Sequence, residues 1–442
     1  MFLKRIQISQ IGAIDNVALD FISAASTRPG FLRQHTVMVG DNHAGKSTAL
    51  RAIALVLAGS DALAGLLQEP ARWVRNGQKE GRISATLVAP DGREFEAALM
   101  LNPSWNVRKT LTKNEQSLAA LNAALASPQG GFLTLGYGVA RRPALEAQAD
   151  SNGSADLFAH PRARHVATLF SPDATLAPLR EWAQDSAALR SMLKVFLPGM
   201  TVEKVDHGPK GGAGLGLLLK TVDGSIPFSQ LSDATQTLVN LFGDVLFRIS
   251  NASKGAKNPL KTSGVLLIDE LELHLHPVWQ RTLVASISAA YPNLQIIGTT
   301  QSPMVAQQLR DGELVLLQRA FAKVGATSGA MAGDPSQLTL SQLVGSVFGI
   351  GTGDSERVAA LRSRARSSPA MLAAHEHIEL AQLAPVHELS APMQAQLAAT
   401  TALTEAIARS AGQTVPKLDP AKLRQKMGER IKLAALRAGA AS

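Results

Sequence analysis

Gly40, Gly45, Lys46 and Ser47 fill the fixed positions of the pattern G-x-x-x-x-G-K-[ST], with Asp41, Asn42, His43 and Ala44 between them. Glycines let a backbone wrap around phosphate so that successive N–H groups point inward. A lysine at this place reaches the β- and γ-phosphates of a nucleoside triphosphate, and the serine ligates Mg²⁺. A helix starting here adds the positive end of its dipole. The candidate nucleotide-binding residues are therefore Gly40, Asp41, Asn42, His43, Ala44, Gly45, Lys46, Ser47 and Thr48, with Lys46 also acting on the transferred phosphate.

Three further segments carry chemistry. The apolar run Val265–Ile268 ends in Asp269 and Glu270. Alone, such a run is a strand reaching solvent. Downstream of a phosphate loop, it places Asp269 to hold Mg²⁺ and Glu270 to polarise an attacking water. Leu231 and Ser232, followed by Asp233, Ala234 and Thr235, precede an apolar helical pattern through Leu246. Read locally, Ser232 or Asp233 is a helix N-cap. The run from Leu294 ends in a polar loop at Thr300 and Gln301, about thirty residues beyond Asp269. Gln301 can donate a hydrogen bond but carries no charge.

These residues need a scaffold, and the apolar periodicity supplies one. Residues 3–9 and 17–21 read as paired strands, and 35–39 as a buried strand running into the phosphate loop. That strand, the loop and a helix from Ser47 to about Leu57 make the context a phosphate loop requires. Residues 81–101 read as a hairpin turning at Pro90–Gly92. The stretch from about 103 to 200 reads as a largely helical insertion with loops at 127–131 and 149–161. Strands return at 200–228, 264–268 and 294–299, and 313–318 reads as the last. The fold class is α/β. An ATPase domain over 1–330 is followed by a helical region over 335–442, whose final helix starts at Asp419 and Pro420 and carries Lys422, Arg424, Lys426, Arg430, Lys432 and Arg437 around an apolar stripe.

The order of phosphate loop, Leu-Ser segment, Asp-Glu strand and polar switch loop resembles the ABC ATPase superfamily. Ile268–Arg281, Leu135–Arg142 and the region from Leu169 to Trp182 resemble prokaryotic ATPases of the overcoming-lysogenisation-defect and Septu type, within the RecF and SMC branch. The resemblance covers about residues 1–320. It implies an ABC-type head with an antiparallel β subdomain that binds ATP and Mg²⁺ and closes as a head-to-tail homodimer or higher homo-oligomer. Ser232 would then bind the γ-phosphate held by the other subunit. The family's signature has glycine where this chain has Ala234, which implies an altered signature turn. Its switch histidine is replaced by Gln301, which implies slow turnover. Many such ATPases stand in anti-phage operons beside a nuclease, so the resemblance implies a nuclease or other effector as partner. Tyr137, Arg141 and Arg142 read either as residues near the nucleotide or effector surface, or as a strand end with surface arginines. His274 and His276 read as part of the dimer segment, and His375 and His377 as a solvated helix face.

Composition limits the alternatives. An apolar fraction of 45% over 442 residues indicates a globular chain. Without an 18-residue apolar run or a signal-peptide core, a cytoplasmic protein with no membrane partner is expected. The absence of cysteine excludes disulfides and thiolate zinc sites. The net charge of +9 suits nucleic acid as a partner, or a solubilising surface. A RecF-like DNA clamp and an ATP-binding scaffold with little hydrolysis are the competing functions. A transporter subunit fits poorly, because the separation between Lys46 and Ser232 is long for that class. The chain shows no second catalytic constellation, so any destructive chemistry is expected to reside in a partner.

Overall fold

Leu3, Ile6, Ile8 and Ile11 turn the first strand, β1 (Phe2–Ile11), into one wall of the core. The chain reverses at Gly12 into β2 (Ile14–Asp20), antiparallel to β1, with Ile6 opposite Leu19 and Ile8 opposite Val17. The computed structural model describes residues 1–22, 32–126, 132–143, 158–178, 186–206, 216–222, 224–252, 262–319, 326–330, 334–349 and 356–367.

Strand β3 (His35–Val39) is buried throughout. The expected hairpin is β4 (Gly81–Val88) with β5 (Glu94–Leu101), and β4 also pairs with β1. Next come β6 (Leu133–Tyr137), then β7 (Thr201–Asp206), β8 (Gly216–Thr221) and β9 (Gly224–Pro227), which form a separate three-stranded antiparallel sheet. The wholly buried β10 (Gly264–Ile268) and β11 (Leu294–Thr299) precede β12 (Leu314–Arg319) and β13 (Ala326–Ala330). The large sheet runs β5-β4-β1-β2-β13-β12-β3-β11-β10-β6. Its parallel part, β12-β3-β11-β10-β6, aligns the ends of four strands that bear candidate site residues.

Side-chain alternation splits the core into two layers. Met38, Val265, Leu267 and Ile297 point to a layer containing helices α1 (Lys46–Leu57), α2 (Gly59–Leu67) and α3 (Val107–Ala126). Val37, Val39, Leu266, Ile268 and Ile296 point to the other, with α4 (Ser186–Phe196), α5 (Asp233–Ala252) and α6 (Leu283–Ala290). Burial on both faces explains why β3, β10 and β11 read as unbroken apolar runs.

The α/β expectation holds, with two corrections. The stretch 103–200 contains β6, an edge strand of the large sheet. The last strand is β13, which pairs antiparallel with β12 and parallel with β2. The chain divides into units Met1–Phe348 and Gly349–Ser442, and the described part of the second is a helix over Glu356–Ser367. The basic helix expected from Asp419, the pair His375 and His377, Glu181 and Trp182, and the loops at 127–131 and 149–157 lie outside the described residues. Among the described residues, no helix is long and apolar enough to cross a membrane.

Candidate nucleotide site

The buried β3 delivers the chain to Gly40 at the strand's C-terminal end. A Cβ on Gly40 would collide with the carbonyl oxygen of Leu317 on β12. Gly45 takes φ +90°, and a Cβ there would come within 2.9 Å of Ile14 Cγ1. Both glycines are thus required by packing as well as by the loop's shape. Asp41, Asn42 and His43 are exposed, and His43 adopts φ +68°. Helix α1 starts at Lys46 without a side-chain cap and without an acidic residue in its first turn. Its leading N–H groups are therefore available to an anion.

Lys46 Nζ donates to the carbonyls of Gly40 at 2.7 Å and Asp41 at 3.1 Å, inside the loop. Burial lowers its pKa, and the charges of Glu270, Asp269, Asp41 and Glu272 oppose that shift. The lysine and the carboxylates therefore share one electrostatic neighbourhood. Ser47 and Thr48, half-buried, complete the first turn.

The carboxylates stand where β10 ends. Asp269 is buried, and its Oδ1 accepts from Thr299 Oγ1 at 2.6 Å. The same Thr299 oxygen accepts from Glu270 N at 2.7 Å. The parallel pairing of β10 with β11, with Ile268 opposite Gly298, brings these groups together. Glu270 adopts φ +49°, a left-handed conformation rare for a non-glycine residue. Its Oε1 accepts from Gln301 Nε2 at 2.7 Å. The switch loop and the proposed water-polarising carboxylate therefore meet directly. Glu272 holds that loop, accepting from Thr300 Oγ1 and from Gln301 N, each at 2.5 Å.

The donor set suits Mg²⁺. Asp269 has Oδ2 beyond the oxygen engaged by Thr299, and Ser47 adds a hydroxyl. Hard oxygen ligands of this kind, completed by phosphate and water, are what the ion takes.

Ser232 is exposed and sits immediately before α5. Its Oγ lies 2.8 Å from Thr235 Oγ1 and accepts from Thr235 N at 3.3 Å. Its hydrogen bonds are thus those of a helix cap, and among the described residues none joins it to the phosphate loop. Ala234 lies within the first turn of α5 and is not among the positive-φ residues. The backbone at this position is therefore one that alanine adopts freely, with no demand for glycine.

Tyr137 and Arg141 each carried two readings from sequence, and burial removes the surface one for both. The Tyr137 hydroxyl is buried and donates to Asp244 Oδ2 at 2.6 Å, which also accepts from Arg248 Nε at 2.5 Å. Asp244 Oδ1 accepts from Ala177 N at 2.6 Å. Tyr137 is thus a joint between β6 and α5, away from the surface. Arg141 is buried, not a surface arginine. Its Nε donates to Gly138 O at 3.1 Å and one terminal nitrogen donates to Glu270 O at 2.7 Å and to Asp269 O. Burial pulls its pKa down to about 10, against the neighbouring Asp269, Glu272 and Glu270. Arg142 is exposed. Arg141 stood in the sequence reading with two alternatives, near the nucleotide or on the surface, and absent from it altogether were Thr299 and Glu272. The order Asp269-Glu270-x-Glu272 and the Thr299-Thr300-Gln301 run were the available signals for the last two.

Residues 36–306 match the family model described as "AAA domain, putative AbiEii toxin, Type IV TA system". The chain is 26% identical to "Septu protein PtuA" of Bacillus mycoides over 72% of its own length and 40% of that protein's. It is 33% identical to "Retron Ec83 probable ATPase" of Escherichia coli over 28% of this chain and 22% of that protein. It therefore spans well under half the length of these relatives. Among solved structures, the SMC head domain from Thermotoga maritima aligns at 12% identity and TM-score 0.41, covering 75% of this chain and 99% of that one. The head of the Smc protein from Pyrococcus yayanosii aligns at 12% identity and TM-score 0.45, covering 75% and 97%. The family match takes in the phosphate loop and the carboxylate strand and extends over more than half of the sequence, so the chain belongs to this AAA-domain family of P-loop ATPases.

Proposed function

We propose that the chain hydrolyses ATP with Mg²⁺ at a site shared between two copies, and serves as the ATPase subunit of an anti-phage defence system whose effector is a separate nuclease. The ATPase part would occupy residues 1–330, with 335–442 as an accessory helical region. The observation that carries the hydrolytic reading is the hydrogen bond from Gln301 to Glu270 beside a phosphate loop whose lysine feels the same carboxylates. The names of the Septu and retron relatives support the defence setting.

On nucleotide arrival, Lys46 exchanges the carbonyls of Gly40 and Asp41 for phosphate oxygens. Ser47 and Asp269 would hold Mg²⁺, which when bound neutralises charge on the β- and γ-phosphates. Glu270 accepts a hydrogen bond from the attacking water and draws its proton as the γ-phosphorus bond to the ADP oxygen breaks. Gln301 fixes the Glu270 carboxylate by donating to one oxygen, leaving the other for the water. A neutral glutamine stabilises less developing charge than a protonated histidine, which supports slow turnover. Ser232 and the start of α5 from a second copy would close the site from the opposite side.

The test uses the purified full chain, phosphate release and light scattering. Wild type releases phosphate in Mg²⁺. Lys46→Ala loses nucleotide, and Glu270→Gln keeps it and accumulates as an ATP-bound dimer. Unchanged hydrolysis by Lys46→Ala would overturn the site assignment. Degradation of DNA by the chain alone in Mg²⁺ would overturn the assignment of nuclease chemistry to a partner.

A further inference from the structure

Arg141 is a buried cation whose hydrogen bonds, among the described residues, go to three main-chain carbonyls and to no carboxylate. A neutral donor would satisfy carbonyls without the desolvation of a charge. The arrangement therefore asks for an explanation beyond packing, and the identity of the carbonyls supplies one. Two of them belong to Asp269 and Glu270, so the guanidinium grips the peptide on each side of the Glu270 Cα. The Asp269–Glu270 peptide is held at its other end too, where Glu270 N donates to Thr299 Oγ1. The torsion between those anchored groups is the φ of +49°. Such a torsion is unfavourable for any residue with a Cβ and persists where its surroundings over-determine it. Glycine would remove the strain, but also the carboxylate.

The loop from β6 is shaped for this grip. Asp269 N donates to Tyr137 O at 2.8 Å, which locks the end of β6 to the end of β10. Arg141 Nε then turns back to Gly138 O and directs the rest of the guanidinium under the carboxylate turn. A planar fork spans several carbonyls at once, whereas an ammonium group makes a point contact.

We infer that Arg141 is a positioning residue: it clamps the left-handed turn at Glu270 and so aims the Glu270 carboxylate at Gln301 and the attacking water. The inference rests on the ATPase reading of the site, since aiming matters only if Glu270 acts on water. Arg141 itself touches neither nucleotide nor water in this role.

The experiment uses the full chain with Arg141→Met and Arg141→Lys, each alone and combined with Glu270→Gln. Arg141→Lys keeps the charge but not the planar fork, so it remains informative if Arg141→Met folds poorly. Expected are a fall in kcat of about 10- to 100-fold, the range that misplacing a catalytic group produces, and a KM within about threefold of wild type, since uniform binding is untouched. In the Glu270→Gln background the same substitutions should remove almost nothing further, because their target is already disabled. Amide exchange should quicken across residues 269–272 while residues 264–268 stay protected. An unchanged kcat, a rise in KM alone, or an equal loss in the Glu270→Gln background would each overturn the proposal. If wild type releases no phosphate, the ATPase reading fails separately. Exchange then decides whether the clamp exists: unaltered protection at 269–272 in both Arg141 variants overturns it.

Discussion

At the ends of β10 and β11, Asp269, Glu270, Glu272, Thr299 and Gln301 hold one another through hydrogen bonds of 2.5–2.7 Å. At the start of α5, Ser232 is exposed and bonded within its own helix. The first region is fixed by its own hydrogen bonds, so little ordering remains to oppose binding or catalysis. The second is capped locally, and among the described residues Ser232 has no hydrogen bond to the carboxylate network. This contrast suits a site whose two halves come from different copies. One half is fixed by the sheet, and the other presents a helix start outward.

The sharpest way to break the contrast is Glu270→Gln. Turnover should fall by about 10²–10⁴-fold, the usual contribution of a positioned general base, while nucleotide affinity stays near wild type. Pre-steady-state phosphate release beside equilibrium binding separates the two. A comparable loss of affinity would mean that Glu270 helps to hold the nucleotide, and the fixed half would need a different reading.

Asp244 is the joint between the two regions, because it sits on α5 and receives the Tyr137 hydroxyl from the strand beside β10. Asp244→Ala leaves Arg248 buried beside Tyr137 without its carboxylate. Breaking a buried pair in this way costs about 3–5 kcal/mol. Chemical denaturation should report the loss. A variant as stable as wild type would show that α5 and β6 are held by apolar packing alone.

How far this arrangement can be read from sequence depends on the distance between partners. The phosphate loop is one contiguous stretch, and Asp269 and Glu270 stand out as charges closing a buried strand. Arg141 stayed ambiguous for the opposite reason. An arginine beyond a strand end reads equally as near the nucleotide or as solvated, and its burial depends on β6 pairing with β10 more than a hundred residues later. β6 itself is short and contains Gly136, where a Cβ would press on Val166 and Leu169. β13, with sequence Ala-Thr-Ser-Gly-Ala, offers no apolar pattern at all, and its place comes from the neighbouring β12 and β2. Fold class and the nucleotide half-site were thus local in origin, whereas the supports behind Glu270 were not.

The joint also has a pH dependence. His165 is half-buried, and burial together with Arg248 lowers its pKa from 6.5 to about 4, with Asp244 acting in the other direction and Arg164 and His160 adding to the lowering. The folded chain therefore keeps this imidazole neutral where the unfolded chain protonates it. Stability is full above pH 6.5 and falls as pH drops toward 4, then levels off, with a loss of at most about 3 kcal/mol. Denaturation midpoints across that window should show the fall, and His165→Asn should flatten it. An identical slope in the variant would assign the dependence to other groups.

The smallest effect belongs to Ala234→Gly, and it tests the outward-facing half. If the start of α5 needed glycine's freedom, restoring it would raise turnover. Ala234 is already helical, so there is no strain to relieve. Glycine there should instead loosen the first turn and lower stability by about 0.5–1 kcal/mol, the propensity difference between the two residues. Turnover should stay within about twofold of wild type, because the first turn that Ser232 caps is the same for either residue and the carboxylate network does not reach it. A severalfold gain in phosphate release would mean that the start of α5 adopts another backbone in the proposed dimer than in the single chain. The contrast between a fixed half and a presented half would then become one between a fixed half and a half that refolds on closure.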